Sequence, residues 1–179
     1  RTYFMVTTVK VAAAQIRPVL FSLDGSLQKV LDAMAEAAAE GVELIVFPET
    51  FLPYYPYFSF VEPPVRMGRS HLALYDQAVV VPGPVTDAVA AAARQHGMQV
   101  LLGVNERDGG TLYNTQLLLN SCGEIALKRR KITPTYHERM VWGQGDGSGL
   151  SVVSTPLGRV GALACWEHYN PCLLYTSDA

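Results

Sequence analysis

The chain has 179 residues, of which 49% are hydrophobic and 17% are charged, a composition that excludes intrinsic disorder and indicates a globular protein. The formal net charge of −2 gives no sign of a nucleic-acid partner, and no apolar run approaches the length of a membrane span. Three cysteines are too few for a disulfide framework, so we expect a reducing, cytoplasmic location.

The first elements in chain order are a strand, a helix and a second strand. Residues 9–15 read as a buried strand. Ser26 is placed to cap a helix that runs to about Glu40 and ends at Gly41, because serine favours the start of a helix and glycine its end. Residues 44–47 form the second strand, which is short and apolar.

A long aromatic segment separates this unit from the next helix. Residues 51–64 are dense in Tyr, Phe and Pro, which is unfavourable for a helix or a central strand and predicts an ordered loop. Pro84 begins a helix that runs through Ala93 and is closed by Gly97. Residues 99–104 then predict a third strand.

Two strand pairs complete the pattern. Residues 112–119 and 124–131 predict a hairpin, and residues 150–154 and 159–164 predict another. Helices that pack on a mixed sheet define the α/β (or α+β) class, and the sequence shows no repeat or linker, so we expect one domain.

Three of the predicted strands end in a reactive side chain. Glu49 follows LIVFP, Lys131 follows EIALKRR, and Cys165 follows VGALA. Each has an ordinary interpretation, as the end of a strand, a surface lysine or a small core residue. Together they supply a base, a cation and a nucleophile, which is a complete set for attack on a polarised carbon.

The three side chains complement one another chemically. A free thiol has a pKa of about 8.5 and is only a few per cent thiolate at neutral pH. Glu49 can accept the proton of Cys165, and Lys131 can stabilise the anion that results. Zinc is a weaker interpretation, because Cys165 and His168 lack two further ligands at a supporting spacing. The basic run 128–131, taken alone, is typical of a solvated strand end.

Three long motifs carry a resemblance to a known family. They are FPETFLPYYP at 47–56, KRRKITPTYHERMVWGQGDG at 128–147 and ALACWEHYNP at 162–171. Their order and wide separation resemble the nitrilase branch of the nitrilase superfamily, and the similarity covers roughly residues 9–171.

The resemblance implies an α-β-β-α sandwich, with residues 5–171 as the N-terminal part of a single domain. It implies a triad of Glu49, Lys131 and Cys165, with a second glutamate, Glu138, that orients Lys131 or a water molecule. No metal or organic cofactor is implied. The implied partners are a small-molecule nitrile and further copies of the chain, as dimers that can build a spiral filament, with no nucleic acid and no membrane.

The implied reaction is hydrolysis of an organic nitrile to a carboxylic acid and ammonia, through a thioimidate and then a thioester on Cys165. The contexts CWEH and HERMVWGQGDG favour a nitrile over the amide that an amidase or carbamoylase of the same superfamily uses. A cyanide hydratase or dihydratase is a further alternative. A noncatalytic assembly protein on this fold is the alternative from another class.

Aromatic residues beside the motifs predict part of a substrate pocket. Tyr54 and Tyr55 follow the first glutamate and are expected to form an apolar wall, with a packed aromatic loop as the alternative. Trp166, Glu167 and His168 follow the nucleophile and are expected to line the same pocket, with core packing and a solvated turn as the alternative.

The last eight residues do not continue the resemblance. Residues 172–179 read CLLYTSDA, which is a direct translation of TGT CTC TTA TAC ACA TCT GAC GCT, the end of a transposon-based sequencing adapter. We therefore expect a translated adapter joined to a fragment whose sandwich is incomplete, and poor solubility or inactivity of the chain on its own. A native reading frame that continues as CLLYTSDA would contradict this expectation.

Overall fold

The structure, a computed structural model, describes residues 8–178, and of residues 176–178 it describes the backbone alone. One mixed sheet has the strand order β1 (Val11–Ala13), β2 (Leu44–Val46), β3 (Gln99–Asp108), β4 (Thr111–Leu119), β5 (Ile125–Arg130). A second sheet pairs β6 (Val153–Thr155) with β7 (Gly158–Val160). The helices are α1 (Leu23–Ala39), α2 (Phe58–Val61), α3 (Gly68–Gln77), α4 (Pro84–His96) and α5 (Pro171–Asp178). The predicted α/β class is confirmed.

The two faces of the main sheet have different neighbours. Val100 and Leu102 on β3 belong to the large core that α1 and α4 cover. Leu118 on β4 lies on the other face, in a smaller cluster with Val153 and Val160 of the β6–β7 hairpin. The sheet therefore has a helical layer on one side and the hairpin on the other. Within the described part of the chain, no helix combines the length and apolarity needed to cross a membrane.

Strand direction brings two of the motif residues to one edge. β2 pairs parallel with β3, whereas β4 pairs antiparallel with both β3 and β5. β5 therefore runs in the same direction as β2, so the carboxyl ends of both strands lie at the same edge of the sheet. Glu49 follows β2 and Lys131 follows β5, which places both at this edge.

The cap of α1 differs from the prediction. The helix begins at Leu23, and Ser22 is its cap, since its hydroxyl accepts a hydrogen bond from the N–H of Gly25 at 3.0 Å. Ser26 is buried inside the helix, where its hydroxyl donates to the carbonyl of Pro53 at 2.8 Å. The C-terminal end of α1 was predicted correctly. Glu40 is the C-terminal cap, and Gly41 follows it with a φ of +72°, in the left-handed region.

Other elements differ from the prediction in burial, length or number. β1 is an edge strand with Val11 53% exposed, so the prediction of a buried strand was wrong. The aromatic segment contains α2 as well as loop, and α3 follows it where no helix was predicted. The second hairpin is shorter than expected, and residues 161–164 separate β7 from Cys165. Cys165 therefore begins a 3₁₀ turn, Cys165–Tyr169, rather than ending a strand.

Candidate active site

The segment after β2 packs closely against β3 at a glycine. A Cβ on Gly103 would lie 2.3 Å from the carbonyl oxygen of Pro48 and 2.5 Å from the nitrogen of Thr50. No real Cβ is found so close to backbone atoms, so only glycine permits this approach. The contact fixes the height of Glu49 above the sheet, because Glu49 lies between the two residues that touch Gly103.

A buried asparagine holds the rest of this loop. The side-chain amide of Asn105 donates to the carbonyl of Tyr54 at 2.8 Å, and its oxygen accepts from the indole N–H of Trp142 at 2.8 Å. Asn105 and Trp142 are both buried. The loop that carries Glu49 and the segment after Lys131 are thus tied to the same strand.

Lys131 is the centre of a charged cluster. Its side chain is 1% exposed, and its Nζ donates to Glu49 Oε1 and to Glu138 Oε2, each at 2.8 Å. Glu49 Oε1 also accepts from Asn114 Nδ2 at 2.7 Å. The carbonyl of Asn114 in turn accepts from the N–H of Lys131 at 2.7 Å. The lysine thus sits between two carboxylates at fixed hydrogen-bonding distance.

Glu138 is held from three directions. It lies on the 3₁₀ turn Tyr136–Met140 and is buried. Besides Lys131, its Oε2 accepts from the N–H of Thr135 at 2.6 Å, and its Oε1 accepts from the hydroxyl of Tyr55 at 2.5 Å. These donors fix the carboxylate and leave it little freedom to turn.

The cluster fixes the charge of its members. Burial lowers the pKa of Lys131, but the hydrogen bonds and charges of Glu138 and Glu49 outweigh burial, and the pKa lies above its usual value. Burial, the hydrogen bond to Glu138 and the nearby charges of Glu138, Glu49 and Cys165 all raise the pKa of Tyr55. At neutral pH the lysine is therefore an ammonium and the tyrosine a neutral hydrogen-bond donor.

Cys165 is presented on a strained turn. It is exposed, and its backbone φ of +54° lies in the left-handed region, which residues other than glycine rarely adopt. A thiolate at Cys165 raises the pKa of Tyr55, as the charges of Glu138 and Glu49 do, so Cys165 lies within electrostatic range of that side chain. Strained backbone of this kind persists where the surrounding structure holds it in place.

The surroundings of this turn centre on an ion pair that is buried at both ends. Arg129 and Glu167 are joined by two hydrogen bonds, of 2.6 Å and 2.8 Å, and are 2% and 6% exposed. The Glu167 carboxylate also accepts from the N–H groups of Ala164 and Ile132 at 2.8 Å and 3.0 Å. Glu167 therefore faces the interior rather than a substrate pocket.

An apolar groove borders the cluster. It has a volume of about 980 Å³. Tyr54 and Tyr55 line it, together with Glu49 and side chains from the loop before α1 and from the aromatic segment, among them Ile16, Arg17, Pro18, Leu20, Phe51, Tyr57 and Phe60. The ring of Tyr55 also contacts those of Tyr57 and Trp142, with centroids 4.8 Å and 5.5 Å apart. The aromatic segment is thus both packed and exposed to the groove.

The residues after Cys165 lie outside this groove. Trp166 is 64% exposed, and its ring packs on that of Tyr169. His168 borders a different depression, beside the β6–β7 hairpin, and its Nδ1 lies 2.9 Å from the carbonyl oxygen of Cys165. In the described residues 8–178, no three His, Cys, Asp or Glu side chains are grouped so that they could hold a metal ion.

Several structural residues of the site escaped sequence reasoning. Asn105 and Asn114 are buried polar residues within strands, and their position in otherwise apolar runs was the available signal. The basic run was expected to be solvated, yet Arg129 and Lys131 are buried because each faces a carboxylate. Which residues of such a run face inward depends on the register of β5, and the sequence alone does not specify it.

Comparison with known proteins agrees with the motifs. Residues 10–179 match the carbon-nitrogen hydrolase family. A nitrilase from Paraburkholderia phymatum is 64% identical over 167 residues, which are 93% of this chain and 49% of that protein. An aliphatic nitrilase from Rhodococcus rhodochrous is 41% identical, over 94% of this chain and 46% of its own length. The chain spans about half the length of the curated relatives it matches.

Solved structures share the fold. The NitFhit protein of C. elegans matches 93% of this chain and 40% of its own, with a TM-score of 0.72 and 20% identity. An amidase from Nesterenkonia sp. matches 94% of this chain and 60% of its own, with a TM-score of 0.70 and 18% identity. The predicted family resemblance is confirmed, and the chain belongs to the carbon-nitrogen hydrolase family.

Proposed function

We propose that the complete protein containing this chain hydrolyses an organic nitrile to a carboxylic acid and ammonia. The observation that carries the proposal is the buried Lys131 ammonium between Glu49 and Glu138, with the backbone beside Lys131 and the backbone beside Cys165 both bonded to Glu167. The 64% identity to a protein named nitrilase supports the choice of a nitrile.

The first half of the reaction uses the thiol. Glu49 accepts the proton of Cys165, and the thiolate sulfur attacks the nitrile carbon. Negative charge then develops on the nitrile nitrogen, which takes the proton held by Glu49 and gives a thioimidate. Lys131 stabilises this charge, and because it is buried its electrostatic effect is stronger than in water. Loss of one such donor typically costs on the order of 3 kcal/mol of barrier.

The second half uses two water molecules. Glu49 accepts a proton from the first water, whose oxygen adds to the thioimidate carbon. The nitrogen takes that proton from Glu49 and then, again through Glu49, the proton of the added hydroxyl, so that the carbon–nitrogen bond breaks, ammonia leaves, and a thioester remains on Cys165. A second water attacks the thioester, releases the carboxylic acid and returns the thiol. Glu138 keeps Lys131 charged and aligned through both halves, since it accepts a hydrogen bond from Nζ at 2.8 Å.

The apolar groove supports an uncharged substrate. Its aromatic lining at Tyr54 and Tyr55 provides contact area for a carbon chain or ring, and Arg17 and Glu49 supply the charged part of its border. For the complete protein we also propose a homo-oligomer, supported by the exposed apolar side chains of Val61, Val65 and Leu72 on and beside α2 and α3. Light scattering on the full-length protein tests that assembly.

A matched substrate set tests the activity. The full-length protein is assayed with an uncharged nitrile, the amide of the same carbon skeleton and cyanide, and ammonia and acid are measured together. The proposal predicts that kcat/KM is highest for the organic nitrile. Faster turnover of the amide favours an amidase, faster turnover of cyanide favours a cyanide-converting enzyme, and either result contradicts the proposal.

A further inference from the structure

One buried carboxylate joins the chain segments of Lys131 and Cys165. Glu167 Oε1 accepts from the N–H of Ile132, the residue directly after Lys131, at 3.0 Å. Its Oε2 accepts from the N–H of Ala164, the residue directly before Cys165, at 2.8 Å. A single side chain, that of Glu167, is therefore hydrogen-bonded to the backbone next to Lys131 and to the backbone next to Cys165.

Arg129 fixes the orientation of that carboxylate. Its two terminal nitrogens donate to the two oxygens of Glu167, at 2.6 Å and 2.8 Å, in the bidentate geometry that only a guanidinium provides. Arg129 Nη1 also donates to Gln116 Oε1 at 2.9 Å, and Gln116 Nε2 donates to the carbonyl of Leu163 at 3.0 Å. The network thus binds the segment before the nucleophile to β4 and β5.

The turn needs such support. Cys165 has a φ of +54°, and a residue with a Cβ leaves this region unless its neighbours are held. Glu167 holds the preceding residue and belongs to the same turn, with its own N–H donating to the carbonyl of Ala164 at 3.1 Å. A carboxylate buried with an arginine is also far more rigid than an exposed one.

We propose that Glu167, oriented by Arg129, is a positioning residue that sets the distance between the Cys165 thiol and the Lys131 ammonium. The proposal rests on the function proposed above, in which the ammonium stabilises the charges that form at the thiol and on the substrate. Glu167 touches neither reacting atom. Its effect is geometric, through the backbone on both sides.

The chain offers conservative variants and a matched control. Glu167→Asp keeps the charge but shortens the reach to the two N–H groups, and Arg129→Lys keeps the charge but loses the bidentate fork. Arg130 is the next residue of β5, is also ion-paired, and faces the other side of the sheet, where it contacts Glu106 and Asp108. Arg130→Lys is therefore the control.

Three quantities are measured on the full-length protein and each variant. The first is the melting temperature, and the second is kcat and KM for the preferred nitrile. The third is the pH dependence of alkylation of Cys165 by iodoacetamide, read on the peptide that carries this residue by mass spectrometry. Alkylation reports on the thiolate and requires no turnover.

Misplacement by about 1 Å typically costs about 100-fold in rate, so we expect Glu167→Asp and Arg129→Lys to lower kcat by about that factor with KM changed less than about twofold. The midpoint of Cys165 alkylation should rise by at least about half a pH unit, because the ammonium no longer stabilises the thiolate as well. Arg130→Lys should keep kcat within about twofold of the parent. Folded variants at Glu167 and Arg129 that keep the parent's kcat and alkylation midpoint would overturn the proposal.

Two further outcomes are distinguishable. If Glu167→Asp fails to fold, the double variant Arg129→Gln with Glu167→Gln replaces the ion pair by a neutral hydrogen-bonded pair, and the same criteria apply to it. If the parent protein hydrolyses no nitrile, the proposed function fails, whereas the alkylation midpoints still decide the positioning role.

Discussion

Glu138 Oε2 lies 2.8 Å from Lys131 Nζ, and both side chains are buried. A buried ammonium is unfavourable unless its charge is balanced, so this contact and the one to Glu49 keep Lys131 charged. The charge is needed for both roles proposed for Lys131, stabilising the thiolate and stabilising the anion on the substrate.

Glu138→Gln should lower kcat by about 100-fold, because the amide cannot balance the ammonium and the alignment of Lys131 loosens. The raised pKa of Lys131 means that its interactions contribute stability fully below the unfolded pKa of about 10.4 and lose it as pH rises through the folded value. The variant should therefore lose activity and stability at a lower alkaline pH than the parent. A pH series of kcat and melting temperature checks this, with exposed Glu36→Gln as control. If kcat and the melting temperature of Glu138→Gln decline at the same alkaline pH as in the parent, this prediction is contradicted.

Gly103→Ala should displace the loop that carries Glu49. The added methyl group would overlap the backbone of Pro48 and Thr50, so one of the two segments must move, at a cost of about 1–3 kcal/mol of unfolding free energy. Denaturant unfolding and kcat measure the two effects. Gly110→Ala is the control, since its added carbon would meet nothing within 4 Å. If the two variants have equal unfolding free energies and equal kcat, the contact between Gly103 and the loop of Glu49 is not as close as the structure indicates.

Asn105→Leu should destabilise the protein by about 1–3 kcal/mol, because the Trp142 indole N–H and the Tyr54 carbonyl lose a buried hydrogen-bond partner. Trp142→Phe removes the indole N–H from the other side. The double variant should therefore be less destabilised than the sum of the single variants. Chemical unfolding of the four proteins measures this coupling, and strictly additive losses would argue against the hydrogen bond as its source.

Glu167→Gln should be destabilising by about 3–5 kcal/mol near neutral pH, because Arg129 is left as an unpaired buried charge. Burial raises the pKa of Glu167, but the hydrogen bonds from Arg129 and from the Ala164 and Ile132 N–H groups lower it further than burial raises it. Its stabilisation is therefore complete above the unfolded pKa of about 4.3 and lost as pH falls through the folded value. Melting temperature measured down to acidic pH should fall less steeply in the variant.

Glu106→Gln provides the matched comparison for the acid limb. The pKa of this buried carboxylate is also lowered, against the effect of burial, by hydrogen bonds from Arg130, Lys128 and Thr115. The melting temperature of Glu106→Gln should therefore also fall less steeply toward acidic pH than that of the parent. Since Glu106 lies on the helical face of the sheet, kcat of the folded variant should stay near that of the parent. A large loss of kcat in folded Glu106→Gln would contradict the inference that the ion pairs on the helical face of the sheet contribute to stability and not to catalysis.

The sequence predicted which charged side chains come together better than it predicted the residues that support them. Glu49, Lys131 and Glu138 were expected together, and they meet because β2 and β5 run in the same direction. The α/β class and the first hairpin also followed from apolar periodicity. These features depend on local pattern and motif, both of which a single sequence displays.

The features that escaped prediction depend on register and close approach. Whether Arg129 faces Glu167 or solvent is decided by the pairing of β5 with β4, and a shift of one residue would reverse it. The role of Gly103 depends on close packing against a loop that contains Glu49, 54 positions earlier in the chain. α3 was missed because Leu74 is its one buried residue, and a single buried position gives a weak pattern.

The most direct measurement is detection of the covalent intermediate on the full-length protein. The protein is mixed with its nitrile substrate, the reaction is stopped in acid during turnover, and the peptide that carries Cys165 is identified by mass spectrometry. The proposed chemistry predicts an added thioimidate or thioester on that peptide, and no adduct and no turnover after Cys165→Ala. Nitrile hydrolysis that continues in Cys165→Ala would contradict the central claim.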